Sequence, residues 1–196
     1  MGEKHTTGYV SVTALGAYMD RLNRKLKGVQ NCPGPTEPLS LDNGDGSKDF
    51  APNEAAGIAI SDDLYLLNEL DVFYDDDIKA LWTYMRPQGR PSFTATMLRD
   101  FVNWQRLIVE NFGDGRAPLN FLILGSRSPG VFCFGGDLAL FQSLIRESNR
   151  EGLVKYGYRC VEILERNARA LDLPMLTIGL AEGSALGGGF EALLSF

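Results

Sequence analysis

Leu176-Thr-Ile-Gly-Leu-Ala-Glu-Gly-Ser-Ala-Leu-Gly-Gly-Gly-Phe-Glu191 is the stretch whose reading decides the fold. Met175 to Ala181 has the composition of a buried strand, and Glu182-Gly-Ser184 that of a turn. The run Gly187 to Gly189 then opens a helix. Glycine loses more backbone freedom on folding than any other residue, so three in a row imply that backbone passes close to something. N–H groups at a helix start have no partner inside the helix and can hold an anion or a developing oxyanion. Glu191 follows Gly188 by three positions, which places both on one face of a helix. The plainer reading, in which the glycines only let a helix pack tightly on a strand, stands beside this one.

A second junction of the same kind lies upstream in Gly130-Val-Phe-Cys-Phe-Gly-Gly-Asp-Leu-Ala-Leu-Phe141. It too reads as a strand, a glycine pair and a helix start, with Asp137 at a helix N-terminus where a negative charge is favoured. Two such junctions can each aim one N–H at a single oxygen, which is what an oxyanion hole requires.

Gly183-Ser-Ala-Leu-Gly-Gly-Gly-Phe-Glu191 and Phe134-Gly-Gly-Asp-Leu138 resemble the two oxyanion-hole segments of the crotonase (enoyl-CoA hydratase/isomerase) superfamily. Within it, Leu81-Trp-Thr-Tyr-Met-Arg-Pro87, Arg90-Pro-Ser-Phe93, Phe134 to Phe141 and Gly187 to Glu191 are similar to bacterial diffusible-signal-factor synthases. The resemblance runs from residue 70 or so to the last residue, Phe196. It implies an α/β domain of repeated β-β-α turns stacked into a spiral. It also implies backbone donors at Gly136 and Gly188, with Glu191 as general acid/base beside an apolar wall that raises its pKa. The implied substrate is a 3-hydroxyacyl thioester on acyl carrier protein. It would be dehydrated and then hydrolysed to a cis-2-unsaturated fatty acid used as a quorum-sensing signal. No cofactor or metal is implied, and the full-length family member would be a homo-oligomer. Arg86, Arg90, Arg99 and Arg127 are candidates for meeting an acidic carrier protein by charge alone.

The family's hydratases use a second glutamate on a later segment, for which this sequence has no matching position before Phe196. A C-terminally truncated, partial spiral is therefore the expectation. Three rival readings remain open: an ordinary enoyl-CoA hydratase or isomerase, a non-catalytic module that kept the fold, and a dinucleotide-binding protein. The last rests on Gly187-Gly-Gly189-Phe-Glu-Ala192, which fits a Gly-x-Gly-x-x-Ala pattern after a strand.

Bulk properties narrow the field. The 196 residues suffice for one domain with a real core. A net charge of −6 argues against a nucleic-acid-binding surface. The only histidine, His5, leaves acid–base work to carboxylates, tyrosines or lysines and disfavours histidine-based triads and metal sites. Cys32, Cys133 and Cys160 are odd in number and widely spaced, which suits a reducing cytoplasm. No apolar run is long enough to span a membrane.

Along the chain, residues 1–30 read as an extension with an amphipathic basic helix, carrying Leu15, Tyr18, Met19, Leu22, Leu26 and Val29 at helical spacing. Residues 31–60 are rich in Pro, Gly and Asp and read as a flexible, disordered linker. The domain occupies residues 61–196. It opens with a hairpin, Leu70 to Tyr74 and Ala80 to Met85. A helix capped by Ser92 or Thr94 then runs to Asn111, and strands follow at Leu119 to Leu124 and Val131 to Phe134. Two further helices lead into the glycine-rich stretch. The second has Leu153, Tyr156, Cys160, Val161, Leu164 and Ala168 spaced for burial.

Overall fold

The computed structural model describes residues 60–196. The extension and the linker expected before residue 60 lie outside the described residues.

Leu70–Asp75 (β1) and Ala80–Met85 (β2) pair antiparallel, with Leu70 opposite Met85 and Asp75 opposite Ala80. The chain leaves β2 through Arg86 to Phe93 and enters the helix Ala95–Phe112 (α1). Of the two expected caps it is Thr94 that acts: its Oγ1 accepts the Met97 N–H at 3.0 Å. Met97, Leu98, Phe101, Trp104, Leu107 and Ile108 form its buried face. Trp104 Nε1–H donates to Thr83 Oγ1 at 2.9 Å, which ties α1 to β2.

Phe121–Ser126 (β3) runs parallel to β2, and all but its first residue are buried. A strand covered on both faces needs such a continuous apolar run. Val131–Cys133 (β4) follows, then the helices Leu138–Arg146 (α2) and Arg150–Ala168 (α3). Asp137 and Asn149 cap them by accepting backbone N–H groups of Ala139, Leu140 and Gly152. Leu176–Gly179 (β5), Ser184–Ala185 (β6) and Gly188–Leu194 (α4) complete the order. The turn expected over Glu182 to Ser184 is therefore shorter, because Ser184 already belongs to β6.

The order is β1-β2-α1, β3-β4-α2-α3, β5-β6-α4, three β-β-α turns in succession. The first sheet runs β1-β2-β3-β5, and β4 pairs with β6 in a second, parallel sheet. A bridge between Phe93 and Gly136 extends that second layer to the segment before α1. Leu64, Leu70, Leu81, Met85, Trp104, Leu122, Leu124 and Phe132 fill the core. This is the expected α/β class in spiral form.

The burial expected along α3 needs correction. Val161 is exposed and so is Ala168, whereas Tyr156, Ile163 and Asn167 are buried. Positions 156, 160, 163 and 167 make one stripe at helical spacing, and 161 and 168 fall beside it. The stripe admits Asn167 because Gln105 of α1 reaches across, donating Nε2–H to Asn167 Oδ1 at 2.7 Å and to Ile163 O at 2.9 Å. Among the described residues, no helix is long and apolar enough to cross a membrane.

Candidate functional site

The two glycine junctions meet. Gly136 and Gly188 line one cavity of about 390 Å³, and a methyl group built on Gly188 would stand 3.8 Å from Gly136 N. Among the described residues, neither Gly136 N–H nor Gly188 N–H donates to a protein hydrogen bond. Their neighbours are committed. Phe93 N–H donates to Gly135 O at 2.8 Å and Phe134 N–H to Pro91 O at 2.7 Å. Gly189 N–H goes to Leu186 O, and Phe190 and Glu191 N–H to Gly187 O.

Two close approaches explain why glycine stands here. Gly135 has φ +86°, and a Cβ on it would lie 2.8 Å from both Gly188 N and Leu186 O. A Cβ on Gly189 would overlap the Cys133 carbonyl oxygen. The run thus presses α4 against the end of β4 while leaving the Gly188 N–H unspent.

Glu191, in the first turn of α4, also lines the cavity. It is the one carboxylate among the lining residues. The apolar wall expected around it is on one side only, since Glu191 itself is exposed at the rim. The remaining walls are apolar: Phe93, Leu98 and Phe101 from α1 and the turn before it, Leu124 from β3, Phe141 from α2, and Leu153 and Leu164 from α3.

Three lining residues on α3 were read from the sequence as nothing more than core, or not singled out. Tyr156 donates its hydroxyl to Phe93 O at 2.6 Å and accepts Asp137 N–H at 3.1 Å. Burial holds its phenol well above the usual tyrosine range. Cys160 also lines the cavity. Burial is the main cause that pushes its thiol up; the Tyr156 hydroxyl opposes the shift and the Glu191 carboxylate adds to it. Asn167 stands on the same stripe, and a polar residue recurring on an otherwise apolar stripe is the signal that could have marked it. Cys133 sits behind the site, its thiol pushed up to about 11 by burial against the opposing Gly135 N–H, which donates to Sγ at 3.3 Å.

Two of the four candidate arginines, Arg86 and Arg127, converge on one carboxylate, Asp71. Arg86 Nε pairs with Asp71 Oδ1 at 2.7 Å, and Arg127 lies over the Tyr84 ring with Nε 3.5 Å from Asp71 Oδ2. Arg90 lies over the Phe134 ring. The dinucleotide reading loses its footing, since the second glycine of its pattern, Gly189, is buried under the Cys133 carbonyl and not open to a pyrophosphate.

No protein-family model matches the chain. Over 117 residues it is 34% identical to "Putative enoyl-CoA hydratase/isomerase YngF" of Bacillus subtilis (strain 168), covering 59% of this chain and 40% of that protein. Its fold is similar to an enoyl-CoA hydratase from Bacillus anthracis, with TM-score 0.55, 22% identity, and 65% and 45% of the two chains covered. Human enoyl Coenzyme A hydratase domain-containing protein 3 gives TM-score 0.53 at 18% identity, with 65% and 46% covered. The chain thus spans less than half the length of these relatives. The solved structures give the crotonase fold, and over the matched 117 residues the sequence is similar to a protein named as an enoyl-CoA hydratase/isomerase.

Proposed function

We propose that the chain belongs to an enzyme that forms and consumes the enolate of an acyl thioester, as a hydratase/dehydratase or isomerase of 2-enoyl and 3-hydroxyacyl thioesters. One observation carries this reading: Gly136 and Gly188, whose backbone N–H groups are unspent among the described residues, line one largely apolar cavity whose lining includes a single carboxylate. Negative charge develops on the thioester oxygen as Cα loses a proton. Two preorganised donors stabilise that charge, each contributing about 3 to 4 kcal/mol by the measure of donor deletion in other enzymes. Glu191 moves the proton, taking it from Cα or a water and returning it to the product. The apolar walls take the acyl chain. The chemistry calls on no bound cofactor.

A narrower reading is favoured by the matched segments 81–87, 90–93, 134–141 and 187–191. In it the substrate is a 3-hydroxyacyl group on acyl carrier protein, and dehydration is followed by hydrolysis to a cis-2-unsaturated acid. Self-association belongs to this reading too, with exposed Val161, Phe190 and Leu194 as apolar surface for it.

The test is turnover of 2-enoyl-CoA, 3-hydroxyacyl-CoA and 3-hydroxyacyl carrier-protein thioesters, read by mass spectrometry. Water addition or loss is expected, falling about 10²- to 10⁴-fold in Glu191→Gln, the range of general acid–base catalysis. Free unsaturated acid from the carrier-protein substrate alone would select the narrower reading. Binding of every thioester with no turnover would favour a non-catalytic module.

A further inference from the structure

Tyr156 makes no hydrogen bond to Gly136, yet its hydroxyl is bonded to Asp137 N–H, in the peptide that follows Gly136, and to Phe93 O. Gly135 C=O and Gly136 N–H belong to one planar trans peptide and point in opposite directions. Phe93 N–H holds Gly135 O at 2.8 Å, so the Gly136 N–H is turned away from the segment before α1. The next peptide needs its own restraint. The parallel Phe93–Gly136 bridge sets Asp137 N–H opposite Phe93 O, with no close hydrogen bond between the two. Here the Tyr156 hydroxyl joins the two groups, accepting from Asp137 N–H at 3.1 Å and donating to Phe93 O at 2.6 Å.

Both peptides flanking Gly136 therefore end on Phe93, one directly and one through the phenol. A hydroxyl suits the place because it has one proton to give and lone pairs to accept with. The phenol is itself fixed: its ring stands edge-on to Phe141 with centroids 4.9 Å apart. Gly136 cannot brace itself with a side chain, since a Cβ there would lie 2.9 Å from the Phe141 ring.

We propose that Tyr156 is a positioning residue for the Gly136 donor, its hydroxyl fixing the direction of that N–H through Phe93 O and Asp137 N–H. This rests on the oxyanion reading above and deepens it. A purely structural tyrosine would affect melting temperature but not the polarisation of a bound carbonyl.

Infrared difference spectra of hexanoyl-CoA, labelled with carbon-13 at the carbonyl and bound to the 196-residue protein, separate the two. The unmodified protein should lower the carbonyl stretch. Tyr156→Phe should bind within about threefold of the same affinity and lose at least about half of that shift. On a substrate that turns over, kcat should fall about tenfold to hundredfold with KM little changed, as expected when a transition-state donor is misaimed. If Tyr156→Phe does not fold, 4-aminophenylalanine at position 156 keeps the ring and the donor to Phe93 O but accepts poorly from Asp137 N–H. It too should lose part of the shift. An undiminished shift in either variant would overturn the assignment. A carbonyl bound but unshifted in the unmodified protein would overturn the oxyanion reading, and the role of Tyr156 with it.

Discussion

At the scale of single residues, three consecutive glycines turn out to be under different demands. Gly187 has φ +50° and open space around it, so its need is conformational. Gly189 must be small, because a methyl there overlaps the Cys133 carbonyl oxygen. Gly188 is neither strained nor crowded, since a methyl would meet nothing closer than 3.6 Å. Gly189→Ala should therefore destabilise by about 2 kcal/mol, within the usual cost of overpacking. That corresponds to roughly 4 to 8 °C in melting temperature for a domain of this size. Gly188→Ala should melt within about 2 °C of the parent, since a methyl at ordinary van der Waals distance from its neighbours costs little. Equal losses in both variants, measured by thermal denaturation, would contradict this division. The sequence announced that backbone approaches backbone here, because glycine runs are costly for any other purpose. It could not say which glycine meets what, since Cys133 lies 56 positions away in the chain and the contact is set by the tertiary fold.

At the scale of elements, boundaries followed from local chemistry. Thr94, Asp137 and Asn149 each satisfy N–H groups that a helix start leaves unpaired, and all three are short polar side chains of the kind that caps favour. The face that α3 buries was less legible. Tyr156 is buried as its spacing implied, but the stripe also includes Asn167, whose polar atoms are satisfied by residues of other elements, and periodicity counts only apolar residues. The same blindness hid the tie between α1 and β2. Thr83 and Trp104 read as unremarkable members of a strand and a helix, yet both are fully buried and bonded to each other. Thr83→Val keeps the shape and leaves the indole N–H without its partner, which should cost about 1 to 3 kcal/mol. Chemical denaturation with an unchanged slope would show that loss. Stability equal to the parent would mean that the indole finds another acceptor and that the pair is not what holds α1 to β2.

At the scale of the molecule, the cavity is assembled from all three β-β-α turns. Its walls come from α1 and the turn before it, β3, α2, α3 and α4, and its donors from two junctions 52 positions apart in sequence. The spiral form came from resemblance and not from periodicity, because helical and strand spacings do not encode which strands share a sheet. That Glu191 stands exposed at the rim was likewise out of reach, being a property of how much wall surrounds it. The chain spans 40% of its curated relative. The first chemical step asks less: one carboxylate and two donors suffice to exchange the proton on Cα. The most direct measurement is deuterium incorporation from D₂O into Cα of a saturated acyl-CoA, followed by mass spectrometry. Exchange catalysed by the 196-residue protein is expected, reduced at least about 100-fold in Glu191→Gln, the lower bound for losing a general base. A thioester that binds without exchange, or exchange that persists undiminished in Glu191→Gln, would contradict it.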